Sequence, residues 1–112
     1  ILVELVKFRL EGAGHETSVA NDGEEAIDRI KSDRPDLVVL DSMMPIVAGP
    51  EVLRTVKADP ETSAIPVVML TARKGEADVV SAIKSGAADY LTKPFIPQEL
   101  LVRIEKLLGE GP

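Results

Sequence analysis

Two rhythms of hydrophobic and polar positions alternate along the chain. In "ELVKFRLE" (4–11), Leu5 and Phe8, with Val6 and Leu10, share one side at helical spacing, and "GAG" ends the run. "HETSVA" (15–20) is short enough to predict a strand. "NDGEEAIDRIKSD" (21–33) predicts a helix capped by Asn21 or Asp22, with Glu24 and Glu25 in its first turn and Ala26, Ile27 and Ile30 on its apolar face. "RPDLVVLD" (34–41) carries four consecutive apolar residues without alternation, the pattern of a strand buried on both faces. A helix follows over 50–59, with Pro50 at its first position and apolar residues at 52, 53 and 56. A second continuous apolar strand, "IPVVMLTA", covers 65–72. The spacing then predicts a helix over 74–86, with Val79, Val80 and Ile83 inward and Gly86 as its cap. A strand over 87–92 and an amphipathic helix over 97–109 complete the pattern. Strands and helices alternate with short links and no internal repeat, so residues 1–112 read as one α/β domain, a parallel sheet covered on both faces.

In such a sheet, chemistry collects beyond the carboxyl ends of the strands. Asp41, Thr71 and Lys93 each follow an apolar run directly and are expected to meet there. A carboxylate nucleophile, a hydroxyl to hold a phosphoryl oxygen and an ammonium to offset its charge are the parts that acyl phosphate chemistry requires. Lys93–Pro94 adds a rigid turn that aims the lysine. Taken singly, each residue has a plainer explanation: a turn-forming Asp, a strand or cap Thr, a solvated Lys. Their joint placement is what raises the functional reading.

Composition narrows the alternatives. Hydrophobic residues make up 45% of the 112, enough for a folded core, and the absence of cysteine excludes disulfides and thiolate chemistry. Nineteen acids against 13 bases give a net charge of −6, which argues against direct nucleic-acid binding or an anionic-membrane surface. On this reading a DNA-directed role needs another domain or partner. The apolar runs are too short to span a bilayer and no secretory pattern is present, so a cytoplasmic location is expected. His15 has no second His or Cys with which to hold a metal, and there is no glycine-rich nucleotide loop, which leaves a flavodoxin-like cofactor binder far behind.

"ANDGEEAI", "RPDLVVLDSMMP", "IPVVMLTA" and "KSGAADYLTKPF", in this order and separation, resemble the receiver domain of response regulators in two-component signalling, over residues 4–108. The resemblance implies a flavodoxin-like five-stranded parallel sheet of order 2-1-3-4-5. It implies that Asp41 accepts a phosphoryl group from a histidine kinase or histidine phosphotransfer protein. Thr71 becomes the switch hydroxyl, Lys93 the phosphoryl-binding lysine and Tyr90 the switch aromatic. Mg²⁺ is expected on Asp41, the backbone carbonyl of Met43 and acidic residues after the first strand. An effector or dimer partner is expected on residues 74–108. The domain is expected to be a signalling switch and not an enzyme, beyond some phosphotransfer and dephosphorylation of itself.

The chain departs from the pattern at its start. "ILV" (1–3) resembles the beginning of the central first strand, and "ELVKFRLEGAGH" the later part of the first helix; the acids and the loop between them are missing at Val3 and Glu4. One peptide advances the chain only about 3.8 Å. A strand and the helix covering it lie about 10 Å apart. An unseen segment, a deletion or an exchanged strand is therefore expected at that junction. Ser42, Ala48 and Pro50 are smaller departures beside Asp41. Together they leave one alternative function, a degenerate receiver that binds a partner without phosphorylation.

Overall fold

The computed structural model describes residues 2–41, 46–71, 84, 86–92 and 96–109. Helix α1 (Leu2–Gly12) ends where Gly14 turns to φ +94° and the His15 N–H donates to the Leu10 carbonyl at 3.0 Å. Helix α2 (Gly23–Asp33) begins at Asp22, whose carboxylate accepts the Glu25 N–H at 2.8 Å; the Glu25 carboxylate in turn accepts the Asn21 N–H at 3.2 Å. These bonds satisfy amide donors that a helix start leaves without partners. Gly23 permits a close approach, since a Cβ there would stand 1.9 Å from the Val47 carbonyl oxygen.

Strand β1 (Val38–Asp41), helix α3 (Gly49–Ala58), strand β2 (Val67–Thr71), strand β3 (Asp89–Thr92) and helix α4 (Pro97–Gly109) follow. The three strands pair in parallel in the order β1-β2-β3, with Val38 opposite Val67 and Met69 opposite Tyr90. Pro66 precedes β2, so its missing donor is harmless, and its carbonyl accepts the Val38 N–H at 3.0 Å.

Alternation along the strands sends side chains to two cores. On one face Leu40, Val67 and Met69 pack with Ala26 and Ile30 of α2 and with Val52, Leu53 and Val56 of α3. On the other, Val68, Leu70 and Leu91 pack with Leu100 and Ile104 of α4, and Leu10, Leu37 and Val39 border them. The apolar runs are continuous because each strand faces a core on both sides. Among the described residues Thr62 is the buried polar exception; its hydroxyl donates to the Val56 carbonyl at 2.7 Å and closes the turn after α3.

Several expectations change. The described residues form three strands, not five, so the full order 2-1-3-4-5 is not present among them. Leu2 and Val3 are helical and continuous with Glu4, so they do not begin a strand. The reason is cooperative: extending a helix fixes one residue for each new hydrogen bond, whereas a separate element needs its own nucleus. Residues 15–20 form no ladder. A strand needs a neighbour, and among the described residues none lies beside this one. The predicted helix over 74–86 falls outside the described residues except at 84 and 86, where Gly86 has the left-handed φ of +104° expected of a cap.

Leu53 is 1% exposed at the centre of the α2–α3 core. Leu53→Ala should lower stability by about 2–5 kcal/mol in urea denaturation, through lost burial and the cavity left behind. Phe8 is 75% exposed, and Phe8→Ala should stay within about 0.5 kcal/mol of the parent.

Candidate functional site

Asp41 is the last residue of β1 and Thr71 the last of β2. Asp41 stands opposite Leu70, so Thr71 lies one residue further along the neighbouring strand. Adjacent parallel strands run about 4.8 Å apart, which brings both polar groups to one carboxyl edge of the sheet. Both are half-buried. Apolar residues precede them because the strand interiors face two cores; polarity becomes tolerable only where the strands leave those layers.

Tyr90 is held in the middle of β3 opposite Met69, and Thr71 is two residues beyond Met69. Period-two alternation therefore puts Tyr90 and Thr71 on one face. Tyr90 packs against the α2–α3 core as a partly buried side chain. Lys93 directly follows β3, but Lys93, Pro94 and Met43 lie outside the described residues, as do Ser42 and Ala72.

The Arg103–Asp89 clamp has no counterpart in the sequence reading. Nη1 of Arg103 on α4 donates to both carboxylate oxygens of Asp89, at 2.8 and 3.0 Å, and to the Tyr90 carbonyl at 3.4 Å. Its second nitrogen reaches Glu99 at 3.5 Å. The Asp89 hydrogen bond is the main reason the guanidinium is held above its ordinary pKa. The available signal was an acid at the head of a strand and an arginine on the following amphipathic helix, which by itself is common surface chemistry. At the opposite end of the sheet, Nζ of Lys57 donates to the carbonyls of Ser63 and Ile65 at 3.0 and 2.6 Å, closing the approach to β2. Burial lowers the Lys57 pKa.

Among the described residues no group of three or more His, Cys, Asp or Glu is placed to hold a metal. The described donors at this edge therefore do not fit a complete magnesium site, which needs several oxygens in near-octahedral array.

The sequence model of the response regulator receiver domain matches residues 1–105. The chain belongs to this family. It is 44% identical to the DNA-binding response regulator MtrA of Mycobacterium tuberculosis over 107 residues, 96% of this chain and 46% of that protein. It thus spans just under half the length of that relative. Among solved structures, the receiver domain of a Francisella response regulator superposes with a TM-score of 0.90 at 34% identity, covering 96% of this chain and 88% of that one. The receiver domain of a Pseudomonas aeruginosa sensor histidine kinase, described with a magnesium ion coordinated in its active-site cleft, gives 0.84 at 26% identity, covering 97% and 87%.

These likenesses establish the receiver family and its flavodoxin-like fold. They overturn one expectation, that nucleic acid plays no direct part, because a 44% identical relative is a DNA-binding regulator. Net charge failed as a guide because it was read from a chain that spans 46% of that relative, and it carries no information on the remainder. No helix among the described residues is long and apolar enough to cross a membrane.

Arg103→Ala should lower the melting temperature modestly, with a cost of about 1 kcal/mol or less because the pair is partly solvated. The same substitution should make stability less sensitive to added salt, which thermal melts at two ionic strengths will read.

Proposed function

We propose that this domain is a phosphorylation-driven switch in which Asp41 takes a phosphoryl group from a phosphohistidine. A carboxylate oxygen attacks phosphorus, the phosphorus–nitrogen bond breaks, and the departing imidazole takes up a proton. The Thr71 hydroxyl donates to an oxygen of the transferred group, and the Lys93 ammonium offsets its charge. Their engagement favours one packing of Tyr90, which shares a face with Thr71, and so alters the surface formed within residues 74–108. The donor is a histidine kinase or histidine phosphotransfer protein. The output, by analogy with MtrA, is control of a DNA-binding activity in the longer regulator.

One observation carries this reading: in a chain of the receiver family, a carboxylate and a hydroxyl end adjacent parallel strands at the same edge. The residues of this chain that would hold magnesium are Asp41 and the Met43 carbonyl, and the acidic residues needed to complete the site are those missing between Val3 and Glu4. No step above is routed through the ion. Nothing in the comparisons favours the phosphorylation-independent alternative.

Incubation with acetyl phosphate in excess Mg²⁺ should add one phosphoryl group to the intact mass, and Asp41→Asn should abolish the gain while leaving the circular dichroism unchanged. Uptake by the Asn variant would place the acceptor elsewhere. The chain has one Tyr and no Trp, so tyrosine fluorescence reports Tyr90 directly. Phosphorylation should change that signal in the parent chain and change it far less in Thr71→Ala.

A further inference from the structure

Taking Asp41 as the phosphoryl acceptor, we propose that Gly23 is a positioning residue for phosphoryl uptake. Its bare Cα at the start of α2 sets where residues 46–48 lie and, through them, the end of β1 that carries Asp41. A backbone outlier marks the place. Ile46 has φ +69°, a left-handed conformation that crowds a branched Cβ. Its side chain is 73% exposed, so burial does not offset the strain. Such a conformation persists only where its surroundings determine it.

The next residue shows what does so. Val47 packs its side chain against the α2–α3 core, and its carbonyl lies against Gly23. A Cβ on that glycine would stand 1.9 Å from the Val47 oxygen and 2.7 Å from both the carbonyl carbon and Val47 Cβ. Gly23 is not free to give way. It is buried, the Asp22 and Glu25 carboxylates cap the turn around it, and Ala26, three residues on, is 7% exposed in the same core. Beyond Val47, the Ala48 carbonyl accepts the Glu51 and Val52 N–H groups at 3.0 and 3.1 Å, which fastens the passage to α3.

Only residues 42–45 join Ile46 to Asp41, and the ladder with β2 fixes Asp41 at the other end. Atoms in ordinary contact stand about 3.5 Å apart, so a side chain at position 23 must drive the Val47 peptide away by more than about 1 Å. A displacement of about 1 Å in the parts that position a reacting group costs up to about a hundredfold in rate. A glycine kept only for close packing acts differently: replacing it lowers stability and leaves the rate of the folded chain unchanged.

The test compares the 112-residue chain with its Gly23→Ala variant, under saturating acetyl phosphate and excess Mg²⁺, well below the melting temperature. The rate of mass gain should fall about tenfold to a hundredfold. A second variant adds Ile46→Gly to Gly23→Ala, which lets residues 46–48 shift without strain. Its melting temperature should return toward that of the parent while uptake stays slow. Either variant, folded and phosphorylated at the parent rate, would overturn the proposal. If circular dichroism shows that neither folds, the parent chain decides. Its Gly23 amide resonance should move on phosphorylation while that of Gly109, at the far end of α4, stays; a Gly23 resonance that stays would overturn the proposal. A parent chain that gains no phosphoryl group would instead remove Asp41 as the acceptor, and the role of Gly23 with it.

Discussion

The structure depends on a parallel ladder whose strands are covered on both sides. Once β1, β2 and β3 are flanked by helices on each face, their interiors must be apolar, and Leu40, Val67, Val68 and Met69 are at most 3% exposed. Polar chemistry is thereby confined to strand ends. The same constraint that gives the runs "LVVL" and "VVML" puts Asp41 and Thr71 at the carboxyl edge of neighbouring strands, one residue apart in register. The candidate site is a consequence of how the core is closed.

Helices and their ends were legible because their signals are local. Asp22, Pro50 and the glycines after α1 act within a turn of where they stand, and the structure bears them out to within a residue or two. The apolar runs at 37–40 and 67–70 were legible for a related reason: burial on both faces leaves no alternation to misread. Residues 15–20 were not legible, because a strand is defined by its neighbour and "HETSVA" names none. Residues 2 and 3 were misread for the opposite reason. Resemblance assigned them to a strand, while helix propagation through Leu-Val-Glu-Leu carried them into α1.

At the site, the positions of Asp41 and Thr71 followed from strand ends, while Tyr90 came from resemblance alone. The Arg103–Asp89 clamp did not, since the two residues are joined only by the docking of α4 on β3. That clamp also reaches the Tyr90 carbonyl, so it ties α4 to the backbone of β3. Lys57 stiffens the far end of the sheet by closing the turn before β2. Rigid anchoring of one end, with polar groups gathered at the other, suits a domain whose conformational change begins at the strand ends and travels outward.

The central claim is that Asp41 is the residue that carries the phosphoryl group. Borohydride reduction of the phosphorylated chain, followed by peptide sequencing in the mass spectrometer, tests it most directly, because the reduction converts an aspartyl phosphate to homoserine. The account predicts homoserine at position 41 and at no other acidic position. Homoserine elsewhere, or none in a chain that has gained a phosphoryl group, would contradict it.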